Sequence, residues 1–479
     1  MSVSSLPFLH GALAAVLPKL AAWRRDFHAH PEAGWTEFRT AALIIRRLRE
    51  LGYAIRMGEA ACASDRRMGV PSSAVLAAAR ERALEHGADA ELVAGMGDGY
   101  TGFWADLDCG PGPVTAFRFD MDCNEVAECA EESHRPMREG FASRWPGLMH
   151  ACGHDGHAAV GLGLAEVLVS IRRHLRGRIR LIFQPAEEGA RGALPMSEAG
   201  AVDGVDVLFG FHIGFKAEGP GSLICGTQGF LATTKRDVLF SGVPAHAGAA
   251  PEEGKDALLA ACSAVVNLHA ISRNGKGGTR IAVGRLEGGE ARNVIPASAR
   301  LFMETRGETT ELDAYMTAES ERILRASADL WGCACEWRTV GNSAGGGSSP
   351  ELARLIATVA EAMGGWKTVI PMSGFGATED FACLMSRVQA SGGLASYLQV
   401  GTDRAAGHHS DRFDFDETCL GRALELLARL AVRMAGGGQE DTETETESDM
   451  EFLDEVVRRK GIHVQLWLEG EDGEGFGRG

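Results

Sequence analysis

Apolar strands that each lead into polar residues, with helices between them, dominate the first half of the chain. The predicted strands are residues 114–121, 178–183 and 205–212. The polar residues that close or follow them are Asp120, Asp122, Glu187, Glu188 and His212. Strands this apolar are typical of an α/β domain with a mostly parallel sheet. Because such sheets bind ligands at the carboxyl ends of their strands, we expect these polar residues to carry the chemistry.

The segment MHACGHDGH at residues 149–157 contains three histidines, a cysteine and an aspartate. Gly153 permits a tight turn that would bring Cys152 and His154 to one side of the backbone. Thiolate and imidazole are the usual ligands of zinc and related metals. A lone pair of this kind is more often a helix start, with Asp155 as the capping residue and the histidines on a solvated face. A metal site therefore requires further ligands from other segments.

Those ligands are available elsewhere in the chain. The candidates are Cys152, His154, one of Glu187 and Glu188, His212, and one of His408 and His409. Five ligands are too many for one tetrahedral ion, and they suit two ions that share a bridging ligand. The glutamate that does not bind metal is then free to act as a general base. Asp120 and Asp122 are expected to orient the ligands rather than bind metal, with strand-end capping as the alternative.

The chain divides into four predicted parts. Residues 1–228 and 343–436 form the catalytic domain, and residues 229–342 form an insert of alternating strands and two helices, which is an α+β pattern. Residues 437–479 contain thirteen acidic and four basic residues and are predicted to be a disordered tail.

Charge and cysteine usage exclude several classes of protein. The formal net charge of −17 argues against nucleic-acid binding, which requires a basic face. The eleven cysteines have no spacing typical of a disulfide framework. No uninterrupted apolar run is long enough to span a bilayer, and no signal-peptide pattern precedes the first helix. A cytoplasmic location is the expectation.

Four motifs together resemble the two-metal amidohydrolases, a family that includes aminoacylases, hippurate hydrolase, auxin-amide hydrolases and p-aminobenzoyl-glutamate hydrolases. The motifs are MHACGHDGH, QPAEEG, FHIGF and HHSDRFDFDE. The runs EEGARGALPMSEAG, LATTKRDVLFSG and METRGETTE are most similar to the p-aminobenzoyl-glutamate hydrolases. The resemblance covers about residues 20–434. It implies a zinc-peptidase-like catalytic domain and an inserted dimerisation or lid domain with a small antiparallel sheet and two helices.

The resemblance also implies a role for each candidate ligand. Cys152 is the bridging thiolate, and the other metal ligands are His154, Glu188, His212 and His409. Glu187 becomes the general base that activates a water shared by the two ions. His409 matches the family pattern H-x-x-x-F ending at Phe413, although His408 stays possible. The implied ions are Mn²⁺ or Zn²⁺, with Co²⁺ and Ni²⁺ also compatible.

Substrate-binding residues are expected from the insert. In the family its histidine reaches the active site of a partner protomer, and P-A-H-A-G gives His246 here. Asn293 is placed to donate a hydrogen bond to the substrate, and Arg306 or Arg191 is a candidate for gripping its carboxylate. The resemblance is compatible with a homodimer and with a heterodimer that includes a related subunit. Where many members have A-L-P, this chain has Cys123-Asn124-Glu125, which is expected to affect specificity.

The function that these features predict is metal-dependent hydrolysis of the amide bond of an N-acyl amino acid. The acyl group is expected to be aromatic and the amino acid to be glutamate. Two alternatives stay open. One is a general N-acyl-amino-acid amidohydrolase or dipeptidase, and the other is a metal-binding partner subunit without activity of its own. The presence of Glu187 beside the ligands argues against the silent subunit.

Overall fold

The structure is a computed structural model that describes residues 6–435. The predicted tail at residues 437–479 lies outside the described residues. The helices are α1 Pro7–Ala29, α2 Phe38–Glu50, α3 Ser73–Glu85, α4 Ala90–Gly95, α5 Arg135–Arg138, α6 His154–Ser170, α7 Ala193–Glu198, α8 Ala257–His269, α9 Thr310–Leu330, α10 Pro350–Met363, α11 Phe381–Ala390 and α12 Thr418–Ala435.

The strands belong to three sheets. They are β1 Ala54–Met57, β2 Phe103–Asp108, β3 Val114–Asp120, β4 Arg178–Gln184, β5 Val207–Glu218, β6 Ser222–Ile224, β7 Thr227–Phe230, β8 Ala232–Ser241, β9 Thr279–Gly288, β10 Ser298–Gly307, β11 Ala334–Ser343, β12 Gly346–Gly347, β13 Thr368–Ile370, β14 Ser373–Gly374 and β15 Leu394–Thr402. No helix among residues 6–435 combines the length and the hydropathy that a membrane span needs.

The large sheet has eight strands in the order β1-β2-β4-β3-β5-β15-β6-β13. Its middle strands β4, β3, β5 and β15 are parallel, whereas the pairs β1–β2, β2–β4 and β15–β6 are antiparallel. Helices α1, α2, α6, α10 and α12 contribute to the apolar core on one side, and α7 and α11 to the core on the other. Burial on both faces explains why the middle strands are almost continuously apolar. The predicted α/β class is confirmed.

Helix α6 packs directly against this sheet. Nearly all of its residues are buried. Gly161 permits the close approach, because a Cβ at this position would lie 2.7 Å from the Phe119 ring on β3. The helix begins at His154, so the same packing holds one end of the MHACGHDGH segment against the strand ends.

The second sheet is antiparallel, with four strands in the order β11-β8-β10-β9. Helices α8 and α9 cover one of its faces, around a separate core that includes Phe240, Leu301 and Leu324. The other face carries no helix of its own. This small sheet with two helices confirms the predicted α+β character of the insert, whereas the domain boundaries stay a prediction.

Candidate metal centre

The carboxyl ends of β3, β4 and β5 and the start of α6 meet at one place. Gly153 adopts a left-handed conformation, φ 93°, directly before α6. The turn leaves Cys152 and His154 both buried. His212, from β5, points its Nε2 atom at Cys152 Sγ at a distance of 3.5 Å. The predicted thiolate and two of the predicted imidazoles are therefore brought together.

Backbone carbonyls fix the tautomers of these two histidines. His154 Nδ1 lies 2.8 Å from the Asp122 carbonyl oxygen, and His212 Nδ1 lies 2.9 Å from the Ile213 carbonyl oxygen. A carbonyl only accepts, so each Nδ1 must carry the proton and each Nε2 keeps its lone pair. His154 Nε2 is buried and has no hydrogen-bond partner within residues 6–435. Both rings are thus arranged as metal ligands usually are.

Asp122 shapes the loop that carries the glutamate pair. Its two carboxylate oxygens accept the backbone N–H groups of Glu187 at 3.0 Å and Glu188 at 2.9 Å. The flanking Ala186 and Ala190 have φ angles of 51° and 62°, an uncommon conformation for residues with a side chain. Asp122 therefore orients the loop, which is the positioning role predicted for it.

Glu188 and His409 face each other across the site. Glu188 Oε1 lies 3.3 Å from His409 Nε2. Although burial opposes the shift, His409 and His154 lower the pKa of Glu188 to about 2. The same Glu188 contact raises the pKa of His409, against burial and the positive charges of His154 and Lys235. His409 has a φ of 65° and donates its backbone N–H to the Ala151 carbonyl, which ties its loop to the MHACGHDGH segment.

His408 is occupied by other partners, although its ring also lies near Cys152 and His212. Arg404 donates to its Nδ1 at 2.8 Å, so its Nε2 carries the proton and donates to the Ile213 carbonyl at 3.2 Å. No lone pair is left for a metal. The geometry thus favours His409 over His408.

His157 and Asp120 form a second pair behind the ligands. Asp120 Oδ1 accepts from His157 Nδ1 at 2.5 Å, and His157 Nε2 accepts the Ile213 backbone N–H at 2.9 Å. His157 is therefore not available as a ligand. Asp120 Oδ2 lies 3.8 Å from His154 Nε2, so it faces the site without a hydrogen bond to it.

The donor set fits two divalent ions. The ligand atoms of Cys152, Glu188 and His409 lie within 4.8 Å of one another, as do those of His154, Glu187 and Glu188. Glu188 is shared between these groups, and Cys152 is also close to His212. His154 Nε2 and Glu188 Oε1 are buried polar atoms without a hydrogen-bond partner in the described part of the chain, and bound cations would satisfy them.

A buried ion-pair cluster next to Glu187 was not predicted from the sequence. Arg118 donates to Gln184, Asp120, Glu379 and Asp380. Burial raises the pKa of Glu187 well above its usual value, and the Glu379, Glu188 and Asp380 carboxylates add to the rise. The acid pair of the segment ATEDFA, directly before an apolar helix, was the available sequence signal.

This cluster also corrects a predicted helix boundary. The sequence predicts a helix from residue 378, whereas α11 begins at Phe381. Asp380 accepts the backbone N–H groups of Gly192 at 3.1 Å and Ala193 at 3.0 Å instead of capping its own helix. Long-range hydrogen bonds therefore hold residues 379–380 outside the helix.

His246 and Asn293 lie together in the insert. The two segments meet at an isolated bridge between His246 and Val294, and Ala247 donates its N–H to the Asn293 carbonyl. His246 Nδ1 accepts the N–H groups of Gly248 and Ala249, so its Nε2 carries the proton. Both residues are exposed, and the contacts of His246 among residues 6–435 are within the insert rather than with the ligand cluster.

The two candidate arginines differ in their surroundings. Arg306 donates to Glu304 at 2.8 Å and lines a cavity of about 500 Å³ with Arg280 and Phe375. Arg191 donates to the carbonyl oxygens of Gly69 at 3.2 Å and Glu188 at 2.9 Å. Arg191 therefore links two loops, whereas Arg306 faces open space.

The Cys123-Asn124-Glu125 loop borders the site as expected. Asn124 exchanges backbone hydrogen bonds with Met149, and its side-chain oxygen accepts the Ala151 N–H at 3.1 Å. Asn124 also contributes to the low pKa of Glu188. Its side chain therefore acts on the metal-binding segments themselves.

Comparison with known proteins identifies the family. The model of peptidase family M20/M25/M40 matches residues 116–433, which is more than half of the chain. The chain belongs to this family. It is 46% identical to one of the named subunits of p-aminobenzoyl-glutamate hydrolase from Escherichia coli, over 87% of its own length and 96% of that protein. It is 44% identical to indole-3-acetyl-aspartic acid hydrolase of Enterobacter agglomerans, over 89% and 98%.

Solved structures of related proteins share the fold. An aminobenzoyl-glutamate utilization protein from Klebsiella pneumoniae is 39% identical, with a TM-score of 0.75 over 88% of this chain and 98% of that one. A dinuclear metal binding peptidase of the M20 family from Bacillus subtilis is 26% identical, with a TM-score of 0.60 over 88% and 98%. The chain is thus a metal-dependent amidohydrolase of the M20 family, and its donor set suits two divalent metal ions.

Proposed function

We propose that the protein hydrolyses the amide bond of N-acyl acidic amino acids with an aromatic acyl group, p-aminobenzoyl-glutamate being the leading substrate. The observation that carries this proposal is the half-buried Glu187 carboxylate beside a cluster of thiol, imidazole and carboxylate ligands. Cleavage of p-aminobenzoyl-glutamate would release p-aminobenzoate and glutamate.

The names of two relatives support this substrate class. One acts on p-aminobenzoyl-glutamate and the other on indole-3-acetyl-aspartic acid, according to their names. Their acyl groups differ, whereas both amino acids carry a second carboxylate. The acidic amino acid is therefore the feature that we extend to this chain.

Five residues would hold the metals in this proposal. Cys152 bridges the two ions, and the other ligands are His154, Glu188, His212 and His409. Mn²⁺ or Zn²⁺ is proposed, with Co²⁺ or Ni²⁺ as further candidates. The bound ions would polarise the amide carbonyl, activate water and offset the negative charge of the neighbouring carboxylates.

Glu187 has the role of the proton carrier. Its carboxylate accepts a proton from the attacking water and then delivers it to the nitrogen of the departing amino acid. The Asp122 carboxylate supports this role, because it binds the backbone of Glu187 and Glu188 and holds their side chains in fixed directions. Asp120 supports the site from behind through His157.

Residues of the lid complete the site. Residues 229–342 form the lid in this proposal, and residues 1–228 and 343–436 form the catalytic domain. His246 of one protomer would donate its Nε2 proton to the carbonyl oxygen in the partner's site, where negative charge develops. Asn293 lies beside it, and Arg306 and Arg191 are the proposed contacts of the amino-acid carboxylate. The partner is a second copy or a related subunit.

A substrate panel tests the proposal. The purified protein, loaded in turn with Mn²⁺, Zn²⁺ or Co²⁺, is assayed on p-aminobenzoyl-glutamate, indole-3-acetyl-aspartate, hippurate and a dipeptide. We expect the two acidic conjugates to be cleaved with the highest kcat/KM. Equal rates on hippurate would favour a general aminoacylase. No turnover of any amide with any metal would favour a silent partner subunit.

A further inference from the structure

Lys235 is a lid residue whose side chain reaches toward the metal-binding loop. It lies on β8, where α8 and α9 pack against the face that includes Val238 and Phe240. Side chains alternate along a strand, so Lys235 is on the opposite, helix-free face. Its neighbours across the sheet are Glu304 on β10 and Gly341 on β11.

The ammonium group of Lys235 has no partner within residues 6–435, where it makes no hydrogen bond or ion pair. Glu304, directly across the sheet, is the carboxylate expected to pair with it. Glu304 instead accepts from Arg306 Nε at 2.8 Å. A half-buried cation without a carboxylate is costly unless a ligand supplies one, because its hydration is incomplete.

Gly341 shows how close this part of the lid lies to the metal-binding loop. A Cβ at Gly341 would be 2.2 Å from the Gly189 carbonyl oxygen and 3.1 Å from Lys235 Cδ. Asn342 also donates its N–H to the Ala190 carbonyl at 2.8 Å. The stem of Lys235 therefore passes beside the residue that follows Glu188 in the chain.

The charge of Lys235 is also felt within the site. It is one of the positive charges that oppose the protonation of His409 and so lower the pKa of that imidazole. His409 Nε2 contacts Glu188, so a cation that acts on His409 is near the ligand cluster. The lid thus presents an ammonium group, unpaired among the described residues, toward the region where a substrate would lie.

We propose that Lys235 binds the side-chain carboxylate of the substrate's amino acid and so selects glutamate and aspartate conjugates. This inference rests on the proposed function, because it assigns the second carboxylate of that substrate class. An ammonium group pairs well with a carboxylate in a partly desolvated site. Lys235 is then a specificity-determining residue of the lid, distinct from the metal ligands and from Glu187.

The test compares substrates that differ only in the second carboxylate. Wild type, Lys235→Met, Lys235→Arg and the control Lys276→Met are assayed on p-aminobenzoyl-glutamate and on p-aminobenzoyl-glutamine. Lys276 is an exposed lid lysine outside the strands, so its variant loses the same charge elsewhere. Metal content is measured for every variant, which separates a loss of ions from a loss of substrate contacts.

We expect Lys235→Met to lower kcat/KM for the glutamate conjugate about 10- to 100-fold, mainly through KM, because a charge-assisted hydrogen bond is lost. The glutamine conjugate should change less than about 3-fold, and Lys235→Arg should keep most of the preference for glutamate. Lys276→Met should behave as wild type.

Two results would overturn the inference. Equal losses on both conjugates would place Lys235 at the α-carboxylate or in a structural role, and no loss on either would remove it from the site. Failure of the proposed function is a separate result, since wild type itself would then cleave no acidic conjugate with any metal.

Discussion

At the scale of single residues, the hydrogen bond at one ring nitrogen decides which histidines can bind metal. His154 and His212 donate from Nδ1 to backbone carbonyls, which leaves Nε2 free. His157 and His408 use both nitrogens within the protein. The sequence placed histidines near one another, but it could not separate these groups because their partners come from distant strands.

Replacement of the two glutamates separates the base from the ligand. Glu187→Gln should lower kcat about 100- to 10,000-fold, because the carboxylate that moves the proton is lost. Its metal content should stay at two ions per chain, measured by mass spectrometry of the purified protein. Glu188→Gln is the matched variant and should lose metal as well as activity. The opposite pattern would exchange the roles of the two residues.

At the scale of elements, the sequence predicted the strands and helices that carry the ligands because their apolar patterns are local. The start of α11 was missed, since Asp380 is held by the N–H groups of Gly192 and Ala193. The cluster around Arg118 was missed for the same reason, because its carboxylates lie at positions 120, 379 and 380. Contacts between such distant segments leave no periodicity in the sequence.

Close packing of β11 on the metal-binding loop gives a prediction for Gly341→Ala. The added methyl group would meet the Gly189 carbonyl at 2.2 Å, so the strand or the loop must move. We expect the free energy of unfolding to fall by about 1–3 kcal/mol, and kcat/KM to fall about 10-fold or more through displacement of the loop. Chemical denaturation and steady-state kinetics measure the two effects.

Gly275→Ala is the control for this prediction. Gly275 also lies in the lid, but a Cβ there would have nothing within 4 Å among residues 6–435. Its free energy of unfolding should change by less than about 0.5 kcal/mol. Wild-type activity of Gly341→Ala would mean that the contact between strand and loop has no part in catalysis.

At the scale of the whole molecule, the proposed site is shared between protomers. His246 and Asn293 lie in the lid, and the contacts of His246 are within that lid rather than with the ligand cluster of its own chain. The sequence supplied this arrangement through family resemblance only, because no local pattern specifies which surfaces of two chains meet.

Mixing two inactive variants tests a shared site in a homodimer. His246→Ala and Glu187→Gln are combined after dissociation and allowed to reassociate. Random pairing gives one complete site in half of the dimers, so roughly a quarter of wild-type activity should return. Native mass spectrometry checks that mixed dimers form. Mixed dimers without activity would contradict a shared site, and a chain that stays monomeric would point to a different partner.

Anomalous diffraction at the metal edge, from crystals of the loaded protein, tests the metal centre most directly. We expect two peaks roughly 3.5–4 Å apart, with Cys152 Sγ bonded to both. The other ligands should be His154, Glu188, His212 and His409, and Glu187 should stay unbound. A single peak, or two peaks that do not share the Cys152 sulfur, would contradict the proposed centre.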